Sequence, residues 1–445
     1  MIRRAWSLVS RFIPEGAALL SVLIFGSYLL GLVRDRIFAR TFGAGPELDA
    51  YNAAFVLPEL LLDVLVEAGL AAPFIPIFLK LRSEADGREA DRFARTILTG
   101  AVTIMGTAAI VLFLLAEQTT ALIAPGFGPD QRALYVDLFR VMLVTPILFA
   151  ASLTLGQVLL AEQRFFWYGI APLLYNAGII VGTVAFSDRL GIFGPAIGAV
   201  IGAVLHLASR FPGLRFSAFR IGLSSAFRMP AIRDFVRLML PKSVSHPVEP
   251  LTFLFFTSVA TTLAAGSVTA ISFARNFQSV PVSLVGVAFA LAVFPALSTA
   301  HAEGDRSRFK RLLRANLFSI GGLTLAAAIG LAVVGGLAIR VLLGGGAFDD
   351  EDVALTSSVL AAFAISIPFE SLSHLLSRAI YATRHTLLQV LASLAGLGVT
   401  VLATQLLVDR AGILAIPLGF AIGQAAKTGL LGLALVGRLR RWEAA

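Results

Sequence analysis

The sequence predicts an all-α polytopic membrane protein. About twelve transmembrane helices form two six-helix lobes, related by a pseudo-twofold axis along the membrane normal, with a central cavity between them. Three observations carry this reading. Of the 445 residues, 57% are hydrophobic and only 14% charged, against about 25% charged in a soluble domain. Several apolar runs reach the roughly 20 residues that a bilayer-spanning helix requires. The two halves of the chain also resemble each other at a nearly fixed offset. The ~10-residue alternating segments of a transmembrane barrel are absent.

The first span, 16–33, follows the basic stretch "MIRRAWSLVSRF". It is too long for a signal core and lacks a small-residue cleavage site, so it reads as a retained helix. The second, 50–79, is apolar apart from Asp63 and Glu67, and a basic loop from Lys80 to Arg95 separates it from the third, 96–116. Spans 133–160 and 166–187 flank Arg164, and 191–209 runs into six arginines between Arg210 and Arg237. Spans 235–262 and 267–298 open the second half, and 315–338 follows Arg306–Arg314. Span 353–380 follows the acidic run Asp349–Asp352, 386–408 follows Arg384, and 412–436 ends at Arg438, Arg440 and Arg441. With the N-terminus cytoplasmic, this order places 24 basic residues on the cytoplasmic side and seven opposite. Such a bias supports the orientation and the even number of spans.

Composition excludes several functions. There is no cysteine, hence no disulfide, thiol chemistry or cysteine-bound metal, and the five histidines lack metal-ligand spacing. The net charge of +9 belongs to cytoplasmic loops rather than to a nucleic-acid surface. No P-loop is present. No metal or organic cofactor, no nucleic-acid partner and no enzymatic activity are expected.

The repeat is seen in "ALIAPGFGPD" against "VLLGGGAFDD", "TPILFAASL" against "IPFESLSHL", and "DRFARTIL" against "SRFKRLLR". Pro76/Pro295, Phe127/Phe348, Pro146/Pro368 and Arg164/Arg384 are offset by 219, 221, 222 and 220 residues. The expected lobes are 1–215 and 216–445. Parallel repeats of this kind place a substrate site between the halves, which points to a transporter.

Ionisable residues within spans are costly and mark pathways or mutual pairs. Asp63 and Glu67 are spaced to share a helix face, as are Lys242, His246 and Glu249, and Glu370, His374 and Arg378. His374 bridging its neighbours and Asp137 pairing with Arg140 are the simpler readings of those sets. Arg34 and Arg275 sit beside the first helix pair of each half, near the expected cavity. An arginine fork suits phosphate, so the expected substrate is anionic, a phosphate or diphosphate. Local pairing of Arg34 with Asp35 or Asp49 is the alternative. Prolines at 58, 73, 76, 241, 247, 250, 281, 295 and 368 imply broken or kinked helices.

"GLVRDRIFARTFGAGPELDAYNAAFVLPELL" with "EAGLAAPFIPIF", and later "FARNFQSVPVSLVGVAFALAVFPALS", resemble signature segments of the MurJ (MviN) family of lipid II flippases. The resemblance covers nearly the whole chain. That family belongs to the multidrug/oligosaccharidyl-lipid/polysaccharide exporter superfamily, whose two six-helix lobes match the repeat. The resemblance implies movement of a lipid-linked peptidoglycan precursor from the cytoplasmic to the outer leaflet, in peptidoglycan and cell-wall biogenesis. It implies residence in a bacterial cytoplasmic (inner) membrane, with both termini cytoplasmic. Carried over by position, the family's RD arginine is Arg34, its DA aspartate Asp49 and its E-G/A glutamate Glu67. Tyr28 stands where members often carry a further arginine, and Asn276 falls at the usual eighth-helix arginine position, one place after Arg275.

The mechanism expected from this is alternating access. Arg34 and Arg275, with Lys242 and Asn276, hold the diphosphate. Asp49 and Glu67 pair with the arginines in the empty state. Reset requires energy, from the membrane potential or a coupling cation, for which Glu249 with His246 is the candidate site. Expected partners are lipid II or a similar lipid-linked glycan, membrane lipids and cell-wall synthesis proteins. The rival readings are a flippase for another polyprenyl-linked glycan, a drug/cation antiporter of the same superfamily, a non-transporting scaffold, and a membrane enzyme acting on lipid-linked sugars.

Overall fold

The computed structural model describes residues 15–84, 87–245, 248–383 and 385–444. Among the described residues, helix occupies every expected span. α1 (Glu15–Phe42) covers the first; α2 (Pro46–Leu62) and α3 (Ala68–Glu84), joined by a π-helical turn at Asp63–Glu67, cover the second. Then come α4 (Arg88–Leu114), α5 (Ala116–Ile123), α6 (Pro129–Met142), α7 (Val144–Ala161), α8 (Phe165–Gly169), α9 (Ala171–Leu190), α10 (Phe193–Ala208) and α11 (Arg210–Arg215). The second half comprises α12 (Pro230–Ser245), α13 (Val248–Thr261), α14 (Ser267–Pro281), a π-helical turn at Val282–Val287, α15 (Ala288–Ala302) and α16 (Arg306–Leu342). It closes with α17 (Asp350–Ala364), α18 (Ile367–Ala382), α19 (Thr386–Ala411) and α20 (Ala415–Ala444). Among the described residues, seven helical stretches are long and apolar enough to cross a membrane. The count is eight with the pair α17–α18, which bends by 41°.

The helix starts follow from local chemistry. α16 is capped by Asp305, whose carboxylate accepts from Arg308 N, and α17 by Asp349, which accepts from Glu351 N and Asp352 N. The acidic run Asp349–Asp352 is therefore a helix N-terminus, where carboxylates satisfy free N–H groups and meet the positive end of the dipole. Most of the prolines expected to break helices lie in helix that runs on past them. Pro58, Pro73, Pro76, Pro281 and Pro295 lie inside helices, and Pro281 directly precedes the second π-turn. In the first π-turn, hydrogen bonds close i→i+5.

The repeat recurs in three dimensions. The break between α6 and α7 precedes Pro146, and the break between α17 and α18 precedes Pro368. Phe127 and Phe348, the matched turn residues, are both buried. The hairpins match as well. A Cβ at Gly178 or Gly182 of α9 would land on the Cα of Gly202 or Gly198 of α10. In α19 and α20, Thr404 and Thr400 pack just as closely on Gly419 and Gly423. Small residues let paired helix backbones approach where hydrocarbon solvent supplies no hydrophobic drive.

The chain packs as two compact units. The first is drawn from residues up to Phe38 and from Ala50–Leu254; the second from Ala39–Asp49 and from Phe255 onward. The long segment of the second unit thus starts at Phe255, past the expected 215/216 boundary. The cause is local. Arg164 Nη2 donates to Phe216 O (2.7 Å) and Arg95 Nε to Arg220 O (2.5 Å), which pins the connecting stretch to the first unit. α12 then packs on α3 and α4. The first unit's core gathers Phe74, Phe78, Phe93 and Met105 with Phe235 of α12. The second unit's core gathers Leu297, Phe309, Ile320, Leu375 and Leu431.

Candidate functional site

In the first unit, Arg34 lies eight residues from the end of α1. Its Nε and Nη2 donate to Asp35 Oδ1 (3.0 and 2.8 Å), and its Nη1 donates to Asn176 Oδ1 of α9 (3.1 Å). Asn176 Nδ2 in turn donates to Pro172 O (3.2 Å) and Ser27 Oγ (3.4 Å). The guanidinium also sits 6.0 Å from the Phe38 ring centroid. Of the two readings of Arg34, local pairing with Asp35 is thus realised, and pairing with Asp49 is not. The pairing does not bury the cation: the Arg34 side chain remains 25% exposed while that of Asp35 is at 9%. An arginine held on one side by a carboxylate and an amide keeps a fixed direction and can still offer donors to an anion.

Asp49 has a different task. α14 begins after Gly266, which has a left-handed backbone (φ 87°) and no side chain with which to cap the helix. Asp49 supplies the cap from another segment of the second unit. Its Oδ2 accepts from Gly266 N (2.7 Å); its Oδ1 accepts from Thr269 N (2.8 Å) and Thr269 Oγ1 (2.7 Å). Both oxygens are spent on free donors of a helix start. The expected pairing of Asp49 with the arginines is corrected accordingly. The turn before α2 is tied down further along: Ala347 N donates to Arg40 O (2.9 Å), Arg40 Nη2 to Gly344 O (2.8 Å), and Ala44 N to Asp352 Oδ2 (2.9 Å).

Arg275 is 6% exposed and forms a two-pronged ion pair with Glu370 of α18, itself 7% exposed. Nη2 meets Oε1 at 2.7 Å and Nη1 meets Oε2 at 2.9 Å. Gln278, hydrogen-bonded to Arg275 Nη1, donates to Glu370 Oε2 (2.8 Å) and to Ser366 Oγ (3.1 Å). The Phe420 ring lies 5.0 Å away. The expected free substrate cation is here a neutralised, buried pair within the second unit. The neighbouring Asn276 is exposed. Spacing grouped Glu370 with His374, but its main partner lies 95 positions away in sequence.

Other expectations resolve as follows. Arg140 approaches Glu117 (3.9 Å), not Asp137. Arg378 sits over the Phe294 ring. Glu249 is exposed. The side chains of Glu67 and Lys242, and the whole of His246, lie outside the described residues. Among the described residues, no group of three His, Asp or Glu side chains could hold a metal ion.

The sequence reading missed Asn176, Ser27 and Gln278. An amide within an apolar span was the available signal for the first and last. It also placed Arg210 among surface arginines, whereas Arg210 is 1% exposed. Arg210 donates to Ser152 Oγ (2.9 Å), Trp167 O (2.8 Å) and Tyr168 O (2.8 Å). It closes off the carbonyl end of the short helix α8.

Comparison with known proteins identifies the architecture. The family model described as lipid II flippase MurJ matches residues 38–442. A probable lipid II flippase MurJ of Thermotoga maritima is 30% identical over 365 residues, covering 81% of this chain and 72% of that protein. The lipid II flippase MurJ of Burkholderia cenocepacia is 27% identical, covering 92% of this chain and 81% of its own length. Among solved structures, a lipid II flippase MurJ in an inward closed conformation superposes with a TM-score of 0.82 at 24% identity, covering 94% of this chain and 87% of that one. An inward-facing multidrug MATE transporter of the MOP superfamily reaches 0.81 at 16% identity, covering 94% and 96%. The two structures share the fold, and the family match spans both six-helix halves: the chain belongs to the MurJ family of lipid II flippases.

Proposed function

We propose that this chain moves lipid II across the membrane by alternating access and catalyses no covalent step. The family match over residues 38–442 carries the proposal. The head group's diphosphate engages Arg34, which Asp35 and Asn176 hold in a fixed direction without burying it. Asn276, exposed next to the buried Arg275, is the second unit's contribution at that helix position. Arg275 maintains the fold of its unit through Glu370. Lys242 and Glu67 are further candidates for binding that head group. The cycle is reset by the membrane potential or a coupling cation, with Glu249 and His246 as the coupling candidates. The chain resides in a bacterial cytoplasmic membrane with both termini inside, as the 24-to-7 distribution of basic residues supports. Cell-wall synthesis proteins are its expected neighbours.

The test is complementation of a bacterium depleted of its own flippase, with outer-leaflet lipid II read by an external probe. The wild-type chain restores the signal and Arg34→Ala, expressed to the same level, does not. Full activity of Arg34→Ala refutes the role of the arginine. A well-expressed wild type that fails to rescue moves the substrate to another polyprenyl-linked glycan.

A further inference from the structure

The stretch that follows α11 is held in place and yet exposes apolar side chains. Besides the two arginine clamps on Phe216 O and Arg220 O, Arg220 N donates to Asp91 Oδ2 (3.2 Å) and Ser224 N to Thr99 Oγ1 (3.1 Å). The backbone is therefore fixed along α4. Even so, Phe216 is 69% exposed and Leu223 78%, with Ile221 and Phe227 about half exposed. Water is a poor solvent for such a row, since each buried Å² of apolar surface is worth about 25 cal/mol.

Between this stretch and the end of α10 lies a cavity of about 500 Å³ lined by Phe211, Pro212, Leu214, Arg215, Phe219 and Ile221. That is within the size of ordinary ligand pockets. Arg215 is the one charged lining residue and is exposed. Around it, residues 210–237 carry six arginines and a single acid, Asp234. The apolar stretch Phe193–Arg215 ends here, at the depth where hydrocarbon gives way to head groups. Cation-rich surfaces at that depth attract anionic lipids. A guanidinium fork fits a phosphate.

We infer that this cavity binds one anionic phospholipid, its phosphate on Arg215 and an acyl chain among Phe211, Phe219 and Ile221. The charge around the cavity selects an anionic head group over a zwitterionic one. The clamps from Arg95, Asp91 and Arg164 keep the site formed while its own side chains face lipid. The occupant is structural lipid of the arginine-rich leaflet and is separate from the transported substrate.

The chain has no cysteine, so a single one introduced by Ala218→Cys reports the site alone. The purified full chain, labelled there with a small fluorophore in detergent, is titrated with phosphatidylglycerol carrying an acyl-chain nitroxide, and separately with the matching phosphatidylcholine. Half-quenching is expected at about tenfold lower phosphatidylglycerol, a difference of ~1.4 kcal/mol. Arg215→Gln brings the two lipids together. Ile221→Asp, at an exposed position, does the same by opposing the head group. A reporter at Leu190→Cys, exposed at the far end of α9, is quenched equally by both lipids. Equal midpoints at Ala218→Cys, a preference that survives both substitutions, or the same preference at Leu190→Cys would each overturn the assignment.

Discussion

Removing Glu370 tests whether Arg275 belongs to the fold or to the substrate. Glu370→Ala deletes the acceptor of two charge-assisted hydrogen bonds and of the Gln278 amide. It leaves a guanidinium at 6% exposure without its countercharge. Breaking a buried pair on one side costs about 3–5 kcal/mol, whereas replacing both partners by apolar residues is often nearly neutral. An exposed pair supplies the control: Arg308–Glu303, with side chains 42% and 54% exposed, should lose under about 1 kcal/mol when broken. The assay is unfolding free energy in mixed micelles, followed by loss of helical circular dichroism as denaturing detergent is added. Glu370→Ala is expected to lose about 3–5 kcal/mol, and Arg275→Met with Glu370→Leu to recover most of it. The reasoning fails if Glu370→Ala costs less than about 1 kcal/mol while Arg275→Ala, fully folded, abolishes flipping. Arg275 would then be spending its charge on the substrate.

Arg210→Ala strands two carbonyls and a hydroxyl in a buried site and should destabilise by about 2–4 kcal/mol, against about 1 for Ser152→Ala, in the same unfolding assay. Asp49→Ala uncaps α14 and leaves three donors without their acceptor. A loss of about 2–4 kcal/mol is expected, together with faster hydrogen exchange at the amides of Gly266 and Thr269; unchanged exchange there would contradict the capping role. Gly198→Leu forces α9 and α10 apart and should cost at least about 1–3 kcal/mol, whereas the same change at Gly106, which has open space around it, should cost much less.

The spans were legible because hydrocarbon demands length and apolarity, and both are local properties of sequence. The repeat was legible because Pro76/Pro295 and Pro146/Pro368 keep their offsets even where the residues between them have diverged. The side-chain partners were not. Arg34 could be read with Asp35 because the two are adjacent, but its bond to Asn176 spans 142 positions. Asp49 looked like a free carboxylate since nothing near it in sequence reveals an uncapped helix 217 residues away. Arg210 looked like one more positive-inside arginine, and only packing shows that it is sealed in.

The two π-turns also share one register within the repeat. A π-turn closes i→i+5 rather than i→i+4, one residue more than its α-helical neighbours. The turns begin at Asp63 and Val282, 219 positions apart, the same offset as Pro76/Pro295. Their sequences, "DVLVE" and "VSLVGV", have drifted, yet the extra residue survives in both. The irregular turn is thus a property of the repeated unit: both halves keep its geometry while the side chains that form it differ.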